Sequence, residues 1–373
     1  MGAGAPGPSD YRVLEVDELG LDAAAIGAFI EQHWARKLAL SVPRFFDWQF
    51  RGAPPETGRN RCLVVVDARD RLHGFMGVTA RTFHLDGRRQ PGAELTTWVI
   101  DESLRGLGLG KAIVRRLQQS YHAIIGMGIS DSALPIYATH GFKYMRHLPR
   151  YVRVFDADRV APISKLDPLG QRMIRREPQV SRAKFEAEPI GMRAAAALAE
   201  PLYRRFNCTL RDADYLAWRY QAHPFFRYEA FRVRDGSGDA ALVVRVDEKA
   251  DLRVMHVVDF LGADGSVPAA LAFLEALGRE RGVALADFYC SADPIGHQFW
   301  SQGWFSSVDD FYLQVPNWFY PIDMRTPPTT SLILWARDDV GALIDRSRVY
   351  ITKGDCDMDR PTMLYLEEHG IPV

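Results

Sequence analysis

Cysteine is scarce: four residues in 373 (Cys62, Cys208, Cys290 and Cys356), widely spaced and with no CxxC pair. That argues against a disulfide framework or a structural zinc site, and no metal is expected. A reducing cytoplasm is the simplest compartment. A basic excess is also missing. The 46 Lys and Arg against 47 Asp and Glu leave a formal charge of −1, which argues against a large nucleic-acid footprint. No run approaches the ~18 uncharged apolar residues of a membrane span. Residues 1–10 are small and Gly/Pro-rich, lack an apolar segment and read as a flexible leader rather than a signal peptide. What remains is ordinary: 47% hydrophobic and 25% charged residues, enough for a sizeable core. At ~150 residues per domain, two domains are expected.

Periodicity orders the elements. Residues 11–16 alternate as a short strand, and 21–37 carry Ile26, Phe29, Ile30 and Trp34 at helical spacing. Strands are predicted at 61–67, 72–85 and 94–100, a helix over 111–121, a strand at 123–129, a short helix ending at Gly141 and a strand at 143–155. The Pro-bearing stretch 156–182 reads as a linker. Helices then follow over 190–206 and 211–221, strands at 227–234, 239–247 and 252–260, and a helix over 267–281. A strand at 284–290, a helix at 294–302 and a strand at 304–315 complete the second part. The tail, 326–373, carries one strand-like run, Leu332–Trp335. The fold class is mixed α/β, with an N-terminal unit at 11–155 and a second at 183–325. Two echoes point to duplication. Phe45-Phe46-Asp47-Trp48-Gln49-Phe50 matches Tyr215-Leu216-Ala217-Trp218-Arg219-Tyr220. Ile136-Tyr137-Ala138-Thr139-His140-Gly141-Phe142 matches Phe299-Trp300-Ser301-Gln302-Gly303-Trp304. Their order and offsets are similar, as in an internal repeat.

The Gly-rich turn Arg105-Gly106-Leu107-Gly108-Leu109-Gly110-Lys111 follows a strand and opens a helix. Glycines allow close backbone approach to an anion, and the helix start supplies unpaired N–H donors. A pyrophosphate fits it, although a plain tight turn has the same composition. The dinucleotide fingerprint fits poorly, because it needs G-x-G-x-x-G in a parallel βαβ unit.

Arg105-x-x-Gly108-x-Gly110, together with Ala133-Leu134-Pro135-Ile136-Tyr137-Ala138-Thr139-His140-Gly141-Phe142, resembles the GNAT superfamily of acyl-CoA-dependent N-acyltransferases. The resemblance covers 11–155. A degenerate copy without the loop, Leu261-Gly262-Ala263-Asp264-Gly265-Ser266, covers about 183–316, with Trp300 at the tyrosine position. The resemblance implies two tandem GNAT folds, each a mostly antiparallel twisted sheet flanked by helices. It also implies acetyl-CoA or another acyl-CoA as co-substrate, bound by the N-terminal copy. The family's reaction is direct attack of a neutral amine on the thioester through a tetrahedral intermediate. The resemblance assigns Arg105 to Lys111 to the pyrophosphate and the backbone of Trp98, Val99 and Ile100 to the pantetheine and the thioester carbonyl. Ser130 stands where many members have Asn. Tyr137 occupies the general-acid position, and half-buried packing is its other reading.

Glu94 is the candidate base: a carboxylate at the start of the central strand either reaches the amine or is an exposed strand-end residue. His84 and His140 are weaker candidates, and His140 beside Gly141 suits a helix C-cap. On the acceptor side, Arg219 and His223 belong to an aromatic and basic stretch, whose Trp218 reads as core. The tail segment Thr352–Pro361 carries Asp355, Asp357 and Arg360. It departs from an EF-hand loop and is either a solvated turn or a site for hydroxyls and amines. Tandem GNAT proteins with a similar tail resemble acyltransferases of bacterial surface-polysaccharide pathways, which implies a nucleotide-linked amino sugar as acceptor. An aminoacyl or peptide amine, an antibiotic, or a regulatory role for bound acyl-CoA are the rivals. No nucleic-acid or membrane partner is expected, and oligomeric state is open.

Overall fold

The computed structural model describes residues 7–34, 37–236, 238–249, 252–317, 329–338, 340–357 and 360–372. Most of the expected leader lies outside them. The first sheet is a meander of β1 (Tyr11–Glu15), β2 (Leu63–Asp67), β3 (Leu72–Leu85) and β4 (Arg88–Ile100), each antiparallel to the next. Then β5 (Ala123–Met127) runs parallel to β4. Helix α1 (Val16–Leu19), α2 (Ala23–His33) and α3 (Pro43–Phe50) lie between β1 and β2; α4 (Leu109–Ser120) lies between β4 and β5; α5 (Leu134–Thr139) follows β5. Asp22 caps α2 by accepting from the Ala25 N–H at 2.7 Å, Pro43 opens α3, and Ile113, Val114 and Leu117 turn α4 onto the sheet.

The second sheet runs through Glu186–Ile190, Glu229–Asp235, Gly238–Lys249 and Leu252–Leu261 in antiparallel order, then parallel to Leu285–Tyr289. The sixth strand of each sheet comes from elsewhere in the chain. Arg150–Val154 pairs with Leu285–Tyr289 and Phe305–Ser306 in the second sheet. Leu332–Ala336 from the tail sits between β5 and Lys143–Met145 in the first. The expected strand over 143–155 is therefore two strands in two sheets. Pro149 separates them, and alternation alone cannot say which sheet a strand joins. The expected strand over 304–315 is likewise two short pieces, Phe305–Ser306 and Leu313–Gln314, and the helix over 190–206 is broken into three turns.

The first pair of echoed segments meets through its tryptophans. The indoles of Trp48 and Trp218 stack at 5.2 Å between centroids. Each donates its N–H to the other's backbone carbonyl, at 3.0 and 2.7 Å. Ala217–Gln221 winds as a π-turn, which sets that indole against its counterpart.

Candidate active site

Strands β4 and β5 pair only from Gly92 to Leu95 against Ala123 to Gly126, and β4 continues to Ile100 with β3 as its neighbour. The two strands thus splay, leaving the β5-facing edge of β4 beyond Leu95 without a strand partner among the described residues. A bulge begins at the same place: Leu95 faces Val78 and Trp98 faces Met76, so Thr96 and Thr97 together oppose Gly77. A side chain at 77 has no room, since a Cβ there would meet Thr96 Cγ2 at 2.4 Å. The bulge changes which face each side chain takes. Before it, Ala93 and Leu95 pack on the α4 side with Val78, while Glu94 points to the opposite face beside Arg81. After it, Trp98 returns to the α4 side.

On that side lies the Gly-rich turn. Gly106 and Gly108 take φ of +92° and +79°, with nothing within 4 Å of a Cβ placed on either. Gly108 is the N-cap of the 12-residue α4, so the first N–H groups of the helix have no helical acceptors. Arg105, paired with Glu102 at 2.7 Å, is exposed beside them. Gly108→Val is expected to weaken anion binding at this helix start by about 10-fold or more, measured by calorimetry with acetyl-CoA as the probe, because a β-branched residue is strained at that φ.

Tyr137 on α5 stands between the turn and the splay. Its ring meets Trp98 edge-on at 5.2 Å and Phe142 at 5.0 Å. Burial alone holds its phenol well above the usual tyrosine range, so it carries its proton at neutral pH. The Trp98 Nε1 beside it is buried and has no hydrogen-bond partner among the described residues. Such an orphaned donor on the open side of the splay fits an acyl-CoA arm.

Glu94 is buried, contrary to the exposed strand-end alternative. Strand β4 starts at Arg88, so Glu94 lies well inside it. Its Oε1 accepts from the Asp357 N–H at 3.3 Å, its Oε2 is 3.9 Å from Arg81 Nη2, and Oε2 has no hydrogen-bond partner among the described residues. Burial, followed by the nearby Asp357 charge, pushes its carboxyl up to about 8, with Arg81 acting in the other direction.

Residues 28–142 match the family model described as acetyltransferase (GNAT) family. This segment has the GNAT fold. Among solved structures, a GCN5-related N-acetyltransferase from Anabaena variabilis superposes with a TM-score of 0.52 at 13% identity, covering 87% of this chain and 72% of that one. A conserved protein of unknown function from Enterococcus faecalis, described as a probable N-acyltransferase, gives 0.51 at 11% identity, covering 79% and 69%. At such identities the likeness is one of fold. No curated protein matches the chain significantly. Within residues 28–142, the GNAT match supports an N-acyltransferase.

The remaining candidates fall around the GNAT segment in different ways. Arg360 donates to the hydroxyls of Thr96 and Thr97 at the bulge, at 3.1 and 3.0 Å, and pairs with Asp357. Asp357 and Arg360 therefore join Glu94 on one face of β4. Asp355 lies one step behind, fully buried and paired with Arg211 at 2.6 Å. Arg219 is also buried, donating to the carbonyls of Gly354 and Cys356 at 3.1 and 3.2 Å. His223 packs among Trp48 and Phe226, its Nδ1 accepting from the Phe226 N–H at 2.9 Å. The solvated-turn alternative for the tail fails, since Thr352–Cys356 are buried. Ser130 is exposed and bonds within its own turn, to Ser132 and the Ala133 N–H. His140 closes α5 as a C-cap, and His84 packs against Tyr203. Arg81 was not singled out from the sequence, because an arginine within an alternating strand has no motif. Among the described residues no cluster suited to a metal ion occurs, and no helix is long and apolar enough to cross a membrane.

The second sheet has its own splay. Its parallel pairing stops at Val257 and Phe288, and a register shift follows there too. Here the tail fills the space: the Tyr350 hydroxyl accepts from the Phe260 N–H at 3.0 Å and donates to the Phe260 carbonyl at 2.7 Å, while Thr352 bridges Cys290.

Proposed function

We propose that the chain is a duplicated GNAT protein whose N-terminal copy moves an acyl group from acyl-CoA to the amine of a small molecule held between the two sheets. The observation that carries this is the splay at the bulge, with Tyr137 on one face of β4 and Glu94 on the other. Acyl-CoA supplies an activated thioester. The α4 start with Arg105 and Lys111 holds its pyrophosphate, and the β4 edge from Trp98 to Ile100 orients its pantetheine arm. Glu94 in its ionised form takes the proton from the attacking amine on the acceptor face. Tyr137 gives its proton to the departing sulfur on the opposite face. Asp357 and Arg360 brace the bulge from the acceptor face. The second copy is read as a wall of the acceptor site rather than a second acyl-CoA site, because its splay holds Tyr350 and Thr352.

The proposed acceptor is a nucleotide-linked amino sugar, met in the cytoplasm. What supports it is the tail resemblance and a groove of about 660 Å³ between Gly52–Thr57 and Asp212–Ala222, a size suited to a small-molecule ligand. Aminoacyl, peptide or antibiotic amines are the alternative acceptors, and acyl-CoA binding without turnover is the alternative role. The test is thiol release from acetyl-CoA and a longer acyl-CoA against a panel of such amines. Turnover confined to nucleotide-linked sugars supports the acceptor, and thiol release with none of them sinks it. Tyr137→Phe is expected to lower kcat roughly 10- to 100-fold while acetyl-CoA affinity holds; an unchanged kcat removes Tyr137 from the reaction.

A further inference from the structure

Arg81 is 3% exposed, on β3 opposite Gly92. Among the described residues it makes one hydrogen bond, from Nη1 to the Ala80 carbonyl at 3.0 Å, and its Nε makes none. Buried guanidinium N–H groups need acceptors. Glu94 Oε2 lies 3.9 Å from Nη2. That separation is too long for a direct hydrogen bond and is one that a single water can bridge. Glu94 Oε2 and Gln49 Oε1 are also buried and lack hydrogen-bond partners among the described residues. Gln49, on α3, is itself 3% exposed.

Arg81 and Gln49 line a small cavity with Trp48, Trp218, Asp357 and Arg360. It holds about 10 Å³, room for one water and no more. Trp218 lines both this cavity and the large groove, and its indole walls one from the other. The unsatisfied atoms match the chemistry of water: one donor group, Arg81, and two acceptors, Gln49 Oε1 and Glu94 Oε2. A water accepts from the first and donates to the other two, and three hydrogen bonds are usual for a buried water. An anion would turn its lone pairs against both acceptors.

We propose that one ordered water occupies this cavity and ties Arg81 and Gln49 to Glu94 Oε2, so that the two side chains are positioning residues for the base. The other carboxyl oxygen is held by the Asp357 N–H at 3.3 Å. A water suits a group that must titrate. It donates to the ionised carboxylate and accepts from the protonated carboxyl, turning in place while the side chain keeps its rotamer. Besides Arg81 on β3, the charged groups near Glu94 are Asp357 and Arg360 of the tail. Arg360 is engaged with Asp357, Thr96 and Thr97. Arg219, which also lines the cavity, donates to the carbonyls of Gly354 and Cys356. The positioning role rests on the reading of Glu94 as the base; the water itself does not.

The test joins a high-resolution crystal structure of the full chain to pH–rate profiles of variants. One density peak within hydrogen-bond distance of Arg81, Gln49 Oε1 and Glu94 Oε2 is expected. A direct Arg81–Glu94 ion pair, or a cavity without density, overturns the proposal whether or not any variant folds. Gln49→Met keeps the length of the side chain and removes the amide. It is expected to move the basic rise of kcat/KM up by about one pH unit with acetyl-CoA affinity unchanged, because the ionised carboxylate loses a well-held donor. Arg81→Gln is expected to move the rise up by about one to three pH units, and Arg81→Lys by less. An unmoved rise in Gln49→Met overturns the positioning role, since a neutral amide acts on the carboxyl here only through the water. A wild-type profile with no basic rise overturns Glu94 as the base and the positioning role with it, and the water then stands or falls on the density.

Discussion

Glu94→Gln is expected to lower kcat by roughly 10²- to 10⁴-fold and to abolish the basic rise of the wild-type pH–rate profile. The side chain keeps its shape and loses only the ability to take a proton. In the wild type, burial and Asp357 hold the carboxyl at about 8, so kcat/KM rises with pH through that value as the ionised form accumulates. The same displacement gives a stability signature of definite sign. In the unfolded chain Glu94 titrates at its ordinary value of 4.5, against about 8 in the fold. Between those two values the folded chain binds more protons, and stability falls as pH rises. The full loss is on the order of 5 kcal/mol above the folded value. Glutamine removes that slope, so the variant should melt higher than the wild type near pH 9 while losing its activity. A variant that retains the basic limb would show that another group is the base.

Much of this site is legible in the sequence, because it rests on local chemistry. The Gly-rich turn must take positive φ before a helix, and few residues besides glycine allow it. The tyrosine helix carries its own Pro135 start and Gly141 stop. The start of β4 is legible too. Asp86 and Gly87 both take positive φ, the signature of a two-residue hairpin. Reading that turn would have placed Glu94 inside a strand rather than at its end. Arg88–Gly92 obscured it, because polar residues, Pro91 and Gly92 suggest a loop by composition.

The exchange of the sixth strands was not legible. Arg150–Val154 and Leu332–Ala336 are both apolar enough for a central strand, and nothing in either names its partner. The exchange ties the tail to both sheets, which is why Asp355 and Asp357 have such different surroundings within three positions. Asp357 reaches the bulge and Asp355 does not. A run of acids at every second position reads as one polar surface until the backbone around it is known.

Arg211→Leu is expected to destabilise the fold by about 3–5 kcal/mol, read from denaturant midpoints, whereas Asp355→Asn should cost roughly 1–3 kcal/mol. The difference follows from charge. Arg211, Asp259 and Asp355 are each fully buried. Arg211 Nε meets both oxygens of Asp259 at 3.0 and 2.9 Å, and Nη2 meets Asp355. One cation thus faces two carboxyls. Burial raises Asp259 above its ordinary value, and Asp355 adds to that, with Arg211 opposing. Removing Asp355 leaves Arg211 with Asp259, a balanced pair. Removing Arg211 leaves two buried carboxyls with no cation between them, which burial penalises heavily. The cluster joins Thr209 beside β3, Asp259 of the second sheet and Thr352 of the tail. Its loss should therefore loosen the tail from Thr96 and Thr97 as well. A stability loss in Arg211→Leu no larger than in Asp355→Asn would mean that the guanidinium is held by hydrogen bonds more than by charge.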